Sequence, residues 1–528
     1  MMAEILALAV IALFSYAFYK WMTFHHDYFK QRNLKYLNPK LLGNTIGLFL
    51  NKYTAAEFSQ MIYESFPNDK VYGFFDFRNP QYVVRDPELI KHIGVKSFDH
   101  FEDRIGFADA DIDKLWGNSV LFMKGEKWRH MRATLSPAFT GSKMRQMFEL
   151  VAEYSDSVVE HFLNLSKNKQ KINVEMKEFF SRYTNDVIAT CAFGLRINTF
   201  ADPENEFYRN GLKLVDFNSF TKLVRALIIK QIPAIARMLN ISFADSATAE
   251  TFKSIIMHTM DYRKQNNIYR PDMINMLMEV REGTLKLDTN EKDGSATTKE
   301  SDIEKVNINQ SWNDDEIVAQ CFTFFIGGFD TTSTMLQFVA YELSINPDVQ
   351  QRLYEEIAKT NEQLGGKRIT YDAIQKMKYL DQVTCETLRK WPSLPQIDRI
   401  CVKDFVYDDG NKLKFNIEKG TPVVFPIYGI QHDPKYYTDP ETFDPERFSD
   451  ENRTNIAPNT YNPFGIGPRN CIGSRFALMA IKSILYNLLL NFSFEPNEMS
   501  QIPLKLKKSA FNFVAENGVH IELKPRGK

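Results

Sequence analysis

Hydrophobic residues recur along most of the chain with the three- to four-residue spacing of amphipathic helices. The stretches with this period are 141–165, 172–191, 205–240, 247–265, 314–345, 348–363 and 371–391. Shorter β-type segments lie near both ends: 71–77 and 81–85 flank Asn79-Pro80, which predicts a strand–turn–strand pair, and 421–427 closes a second β region. The pattern therefore predicts a mainly α protein with small β-sheets, in the α+β class.

The N-terminal segment differs from the rest because residues 5–19 carry no charge, and Trp21 and Phe24 extend the apolar character beyond Lys20. Its length approaches the roughly twenty residues that cross a bilayer as a helix. Basic residues follow it and none precedes it: Lys20, Lys30, Arg32, Lys35 and Lys40. The positive-inside rule then leaves the body of the protein in the cytosol. We predict a transmembrane anchor at 1–24; the alternative is a buried N-terminal helix of a soluble core.

A segment rich in Lys, Glu, Asp, Thr and Ser at 283–311 resembles a linker between domains. The motifs that carry chemistry occur on both sides of it, and they must meet at one site. We therefore predict a single catalytic domain at 61–528, with 283–311 as a mobile surface loop and 25–60 as the connection to the anchor.

The amino-acid composition excludes several classes of function. The 528 residues hold 65 Lys+Arg against 66 Asp+Glu, a net charge of -1, so no nucleic acid partner is expected. Five cysteines without a CxxC pair exclude a disulfide scaffold and a zinc ribbon. A mean hydropathy of -0.34 excludes a polytopic membrane protein. The aromatic content of 13%, with 42 Phe, suggests a core that encloses something flat and apolar.

The strongest local motif is Phe-x-x-Gly-x-x-x-Cys-x-Gly at Phe464, Gly467, Cys471 and Gly473, just before an apolar helical run. Glycines let the backbone bend around a sulfur, the positive end of a following helix favours a thiolate, and Phe464 would shield it from water. One cysteine makes neither a zinc nor an iron–sulfur site, but one ligand suffices when a porphyrin supplies four others. The alternative is a buried structural cysteine. We predict Cys471 as the axial ligand of a haem iron.

Four further motifs stand in a characteristic order around this cysteine. They are Trp128 with Arg132, Gly327-Gly328-Phe329-Asp330-Thr331-Thr332, Glu386 with Arg389, and Pro445-Glu446-Arg447-Phe448. With them the sequence resembles the cytochrome P450 superfamily of haem-thiolate monooxygenases over nearly its whole length, and the text from Met131 to Met144 resembles insect microsomal members. The resemblance implies the cytochrome P450 fold, haem b, and residence in the endoplasmic reticulum membrane with the catalytic domain facing the cytosol.

The central helical stretch holds two adjacent glycines, each costing about 1 kcal/mol relative to Ala. Missing side chains at Gly327 and Gly328 would let a planar cofactor approach the backbone. Asp330 and Thr331 then place an acid and a hydroxyl in a dry interior, where such a pair can relay protons. The alternative is a notch for helix packing with a capped acid. The resemblance implies that Thr331 and Asp330 are the catalytic pair.

Other residues receive roles from the same resemblance. Glu386, Arg389 and Arg447 form a structural ion network. Haem-binding roles, with cationic partners for the two propionates among them, fall to Trp128, Arg132, Arg399, Phe464, Arg469, Cys471 and Gly473. For Trp128 and Arg132 the alternative is a half-exposed amphipathic helix. Substrate contacts are expected from Phe107, Phe122, Thr323, Gly327 and Leu394, although these positions could equally belong to the core.

The resemblance implies insertion of one oxygen atom from O2 into lipophilic molecules such as plant toxins or insecticides. The chain has no nucleotide-binding fingerprint, so the electrons are expected from a separate protein. The resemblance implies that this partner is NADPH–cytochrome P450 reductase, which takes electrons from NADPH, with cytochrome b5 as a second candidate donor. Lys127 and Arg129 are expected to offer positive charge for docking. Two alternatives stay open: a haem-thiolate isomerase or dehydratase, and a non-catalytic haem-binding sensor.

Overall fold

The computed structural model describes residues 2–106, 108, 110–167, 171–217, 219–270, 272–282, 312–509 and 512–527. The segment 283–311 and Phe107 lie outside the described residues. The α-helices are α1 (Met2–Thr23), α2 (Ile46–Phe49), α3 (Ala55–Glu64), α4 (Pro87–Lys91), α5 (Lys114–Gly117), α6 (Gly125–Leu135), α7 (Gly141–Ser166), α8 (Met176–Phe193), α9 (Glu206–Val215), α10 (Phe220–Gln231), α11 (Pro233–Met238), α12 (Ser246–Gln265), α13 (Met273–Arg281), α14 (Asp314–Ile345), α15 (Pro347–Gln363), α16 (Tyr371–Gln375), α17 (Lys378–Lys390), α18 (Ile427–Gln431) and α19 (Ser474–Asn491).

Three small sheets accompany these helices. The strands are β1 (Val71–Asp76), β2 (Asn79–Val84), β3 (Ile172–Glu175), β4 (Ile397–Ile400), β5 (Phe405–Asp408), β6 (Lys414–Ile417), β7 (Pro422–Phe425), β8 (Phe492–Pro496) and β9 (His520–Pro525). The largest sheet has the order β1-β2-β7-β4, and the others have the orders β3-β9-β8 and β5-β6. In the first sheet β2 and β7 are parallel, and the other pairs are antiparallel. The expected α+β architecture is confirmed.

The first hairpin turns two residues earlier than predicted. Its turn is Phe77-Arg78, with Phe77 at a φ of 52°, whereas Asn79 and Pro80 lie inside β2. β7 pairs with β2 only at Tyr82 and Val83, so Pro80 stands at an edge where no second neighbour needs its missing N–H.

Besides 371–391, which divides into α16 and α17, two of the long periodic stretches are interrupted in the structure. The stretch 205–240 contains α9, α10 and α11, and Pro233 occupies the first turn of α11. The stretch 172–191 begins with β3 before α8, because its first residues pair with β9. In both cases the hydrophobic period continues across a break in the backbone hydrogen bonding, so the period alone does not locate the break.

The helix α14 runs through the core and forms one wall of the site described below. A capping box starts it: the side chain of Asn313 accepts from the Glu316 N–H at 3.0 Å, and the Glu316 carboxylate accepts from the Asn313 N–H at 2.9 Å. Most of its side chains are buried, and they belong to the largest apolar cluster, to which α7, α8, α17 and α19 also contribute.

The N-terminal helix α1 does not pack into this core. Its side chains are exposed except near its C-terminal end, and it is long and apolar enough to cross a membrane. The alternative of a buried helix of a soluble core is therefore wrong. The chain joins the catalytic body soon afterwards, since Phe29 is fully buried against Phe75 and Tyr82.

Candidate active site

The cysteine loop bends sharply before α19. Gly465 and Gly467 have φ values of 84° and 69°, and a Cβ atom on Gly467 would lie 1.9 Å from the carbonyl oxygen of Gly94. The Cys471 N–H donates to the Phe464 carbonyl at 2.8 Å, which closes the loop. The helix that follows begins at Ser474, three residues beyond the cysteine.

The sulfur of Cys471 is exposed to an internal cavity, whereas the other four cysteines are buried, Cys191 among them at the cavity wall. Burial raises the pKa of the Cys471 thiol, and the Gly473 N–H and the charges of Arg132 and Arg104 act in the opposite direction. The loop by itself therefore favours the thiol. A bound metal cation would displace the proton and take the thiolate.

The cavity has a volume of about 630 Å³ and is mostly apolar. It lies between the cysteine loop, α14, the 104–122 loop and the four-stranded sheet. The predicted site residues on its surface are Phe122, Trp128, Arg132, Thr323, Gly327, Asp330, Thr331, Leu394, Phe464, Arg469, Cys471 and Gly473. Residues from distant parts of the sequence thus meet in one chamber.

The two adjacent glycines of α14 have different surroundings. A Cβ on Gly327 would meet nothing within 4 Å, so this position opens the helix wall toward the cavity. A Cβ on Gly328 would lie 2.2 Å from the Cδ1 atom of Ile188 on α8. The interpretation of both glycines as room for a cofactor therefore applies to Gly327, and Gly328 serves helix packing.

The acid and the hydroxyl next to these glycines are both held in place. The Thr331 hydroxyl donates to the Gly327 carbonyl at 2.6 Å. Asp330 forms an ion pair of 2.9 Å with Lys177 of α8, and the same ammonium donates to the hydroxyls of Ser333 at 2.8 Å and Thr334 at 2.7 Å. Sequence reasoning missed Lys177, which lies 153 residues from Asp330 and belongs to no motif.

A group of arginines surrounds the cysteine loop, and most of their partners are backbone carbonyls. Arg469 donates to the Glu102 oxygen at 2.6 Å and the Met123 oxygen at 2.8 Å, and stacks on Trp128 at 3.9 Å. Arg104, which sequence reasoning also missed, lines the cavity and donates to the Arg469 oxygen at 2.6 Å. Among the residues that the structure describes, this part of the site holds more positive charge than the nearby carboxylates balance.

Arg399 does not reach the cavity surface. It is fully buried and donates to the carbonyls of Ile466 at 2.8 Å and Asp398 at 2.7 Å, while its Nε has no partner among the described residues. Burial and the neighbouring charge of Arg104 lower the pKa of Arg399 to about 9. Burial also lowers the pKa of Arg469 and of Arg104. An anionic group in the cavity would stabilise the charged forms of all three arginines and so raise their pKa values again.

The network of Glu386, Arg389 and Arg447 lies away from the cavity. Arg389 forms a two-pronged pair with Glu386 at 2.8 and 2.9 Å, both side chains are fully buried, and Arg447 approaches the same carboxylate at 3.5 Å. Arg389 also donates to the Gln431 carbonyl at 2.9 Å. These contacts join α17 to the segment before the cysteine loop.

Comparisons with known proteins point to one family. The family model of cytochrome P450 matches residues 41–521. The chain is 43% identical over 527 residues to "Probable cytochrome P450 9f2" of Drosophila melanogaster, covering 98% of this chain and 99% of that protein. It is 42% identical over 535 residues to "Cytochrome P450 9e2" of Blattella germanica, covering 98% and 97%.

The chain belongs to the cytochrome P450 family, and it is a monooxygenase whose cofactor is a haem iron. The residues present fit that group: the Cys471 sulfur faces the cavity, Gly327 leaves one wall open, and the buried arginines outnumber the carboxylates near them among the described residues. Cys471 would hold the iron, and Arg104, Arg132 and Arg469 would face the propionates.

Proposed function

We propose that the protein is an endoplasmic reticulum monooxygenase that oxidises lipophilic foreign compounds with electrons from NADPH–cytochrome P450 reductase. The observation that carries the proposal is the apolar cavity onto which the Cys471 sulfur and the residues Thr331 and Gly327 all open. When bound, haem supplies the activation of molecular oxygen and its transfer to carbon. Proton supply, substrate binding, membrane attachment and reductase docking would depend on residues of the chain itself.

Proton supply falls to α14. The Thr331 hydroxyl is oriented by the Gly327 carbonyl, and Asp330 behind it is only 15% exposed. Lys177, which is 32% exposed, connects this carboxylate to the protein surface. The pair can therefore take protons from the solvent side while bulk water stays out of the apolar chamber.

Substrate binding relies on apolar surface. Phe122, Thr323 and Leu394 line the cavity, and Trp116 above them packs edge-on against Phe217 and Phe322. A cavity of this size and polarity suits a lipophilic molecule of drug-like dimensions. The insect relatives support a role in oxidising foreign compounds such as plant toxins or insecticides.

Membrane attachment is supported by two apolar surfaces. The first is α1, whose C-terminal end contacts the body through Trp21 and Arg78 at 4.4 Å. The second consists of exposed side chains on α10 and α11 and next to them: Phe220, Val224, Ile235, Met238 and Leu239. Such a patch suits a lipid surface. By the positive-inside rule, the basic residues after α1 support a body on the cytosolic side of the membrane.

The reductase would dock beside the cysteine loop, but Lys127 and Arg129 carry little free charge for it. Lys127 pairs with Glu316 at 2.6 Å and Arg129 with Glu102 at 2.7 Å. Lys96 is exposed at the end of the π-helical turn whose Gly94 packs against the loop. We expect Lys96→Glu to slow electron transfer from the reductase more than Lys127→Gln, and most at low salt. Stopped-flow reduction at several ionic strengths measures both; equal rates would contradict this docking site.

The decisive experiment combines purified enzyme and reductase with a panel of lipophilic compounds. Products heavier by one oxygen, formed with NADPH consumption, would support the proposal. NADPH-independent rearrangement of a peroxide would favour an isomerase, and a haem protein without turnover would favour a sensor. Cys471→Ala should lose the long-wavelength Soret band of the reduced carbon monoxide complex. Thr331→Ala should keep that band and divert electrons to hydrogen peroxide.

A further inference from the structure

The floor of the cavity crosses the whole four-stranded sheet. Each strand contributes lining residues: Ile397 and Asp398 from β4, Val424 from β7, Gln81 and Val83 from β2, and Phe74 and Asp76 from β1. The strand β4 adjoins the cysteine loop through Arg399 and Ile466, and β1 is the far edge of the sheet. Three strand spacings separate the two edges, about 14 Å.

The far edge carries a buried carboxylate. Asp76 is 3% exposed and accepts from the Thr45 hydroxyl at 2.8 Å and from the Gln81 amide at 3.2 Å. It also forms an ion pair with Lys230 of α10. All four residues line the cavity, although the cavity is otherwise mostly apolar. An alkylammonium group therefore already sits against Asp76, inside the chamber that receives the substrate.

We propose that Asp76, with Thr45 and Gln81, is a binding subsite for the protonated amine of a lipophilic substrate, and that Lys230 occupies it until such a ligand arrives. The proposal rests on the proposed function and narrows its substrate class to amphiphilic cations. The ligand's apolar part would extend across the sheet toward Cys471, so oxidation falls on carbons remote from the amine.

The buried carboxylate of Asp76 favours a cationic ligand over a neutral or an anionic one. A buried carboxylate that loses its ionic partner is strongly destabilised, so a neutral or anionic ligand cannot replace Lys230 at low cost. A ligand ammonium replaces one cation by another and keeps the pair intact. Lys230 is 26% exposed on a flexible four-carbon stem, so its ammonium can turn to solvent without unfolding α10.

The test compares two probes of equal chain length, dodecyltrimethylammonium and dodecanol, by equilibrium dialysis against the haem-loaded full chain. The quaternary ammonium cannot ligate iron, so iron ligation does not confuse the result. Asp76→Asn should weaken binding of the cation at least tenfold and leave dodecanol within twofold. Lys230→Met removes the competing ammonium and should tighten binding of the cation at least tenfold.

Two results would overturn the proposal. Equal changes for both probes in Lys230→Met would show that the ion pair only closes the cavity mouth, and an unchanged cation preference in Asp76→Asn would exclude the subsite. If Lys230→Met does not fold, the double variant Asp76→Asn/Lys230→Met removes both charges together. This variant has neither charge, so it should favour the cation over dodecanol less than the wild type does; a preserved preference would exclude the subsite.

Product analysis separates this proposal from the proposed function. With reductase and NADPH, the wild type should oxidise the ammonium probe near the end remote from nitrogen, and Asp76→Asn should give a broader mixture. Oxidation of dodecanol without any Asp76-dependent binding of the cation would leave the monooxygenase standing and sink the subsite. Asp76-dependent binding of the cation without oxidation of either probe would support the subsite and contradict the proposed monooxygenase function.

Discussion

Two groups of arginines lie in the interior of this protein, and their surroundings differ. Arg389 faces Glu386 in a fully buried pair, and its remaining N–H groups donate to backbone carbonyls. Arg399 and Arg469 are also buried. Among the described residues, the carboxylate that contacts Arg469 is that of Asp103, at 3.4 Å, which is longer than the contacts between Arg389 and Glu386. The charge of Arg389 is balanced by Glu386, whereas Arg399 and Arg469 lack so close a carboxylate among the described residues and need an anion from outside.

The difference separates structural cations from binding cations. A balanced pair holds the fold with or without a ligand. An unbalanced cluster has depressed pKa values, as in Arg399, and becomes favourable only when an anionic ligand arrives. Removing a charge should therefore have opposite consequences in the two groups.

The largest effect is expected at Glu386. Glu386→Gln leaves Arg389 buried without its ionic partner, so the free energy of unfolding should fall by about 3–5 kcal/mol, with or without haem. Denaturant titration of both forms measures this. Glu178→Gln, which breaks the exposed pair with Arg182, is the matched control and should change stability by less than about 1 kcal/mol. A loss confined to the haem-loaded form would contradict the structural role.

Removing the charge of Arg104 should weaken haem binding and leave the stability of the haem-free fold unchanged. Arg104→Leu removes a cation that faces the cavity, so haem retention should weaken about 10–100-fold while the haem-free protein keeps its stability. The rate of haem transfer to an acceptor protein and the melting of the haem-free form give the two readings. Destabilisation of the haem-free protein comparable to that of Glu386→Gln would remove the distinction between the groups.

The pH dependence of stability offers a third reading. The pKa of Arg399 is about 9 in the folded protein and 12.5 without its environment. Between these values the unfolded chain binds more protons, so the free energy of unfolding of the haem-free protein should rise with pH, by up to about 1.4 kcal/mol per unit from this group. Arg399→Leu should lack this contribution. Identical slopes for the two proteins between pH 8.5 and 10.5 would contradict it.

The smallest effect on stability is expected at the partly exposed pair of Lys177 and Asp330. Lys177→Met should cost less than about 1 kcal/mol in unfolding. Its effect on the reaction should be larger, because Asp330 then lacks the ammonium that orients it and more NADPH yields hydrogen peroxide. Peroxide formed per NADPH, with Lys177→Arg as the charge-retaining control, measures this. Unchanged coupling in Lys177→Met would limit Lys177 to packing.

The sequence was informative where chemistry is local. The cysteine loop and the four-residue spacing of Trp128 and Arg132 are short-range patterns, and their side chains do line one cavity. Lys177, Arg104 and the pair of Asp76 with Lys230 join residues from distant elements, so no spacing indicates them. Only packing against a neighbouring element distinguishes Gly327 from Gly328, for the same reason.

The guanidinium of Arg469 connects the wall of the cavity to the cysteine loop. Its N–H groups hold the carbonyls of Glu102, Val120 and Met123, so the loop that carries Val120 and Phe122 at the cavity wall shares one side chain with the cysteine loop that would hold the haem. Selectivity engineered by exchanging that loop will therefore alter haem content as well, and chimeras between insect relatives should be normalised to bound haem before their activities are ranked.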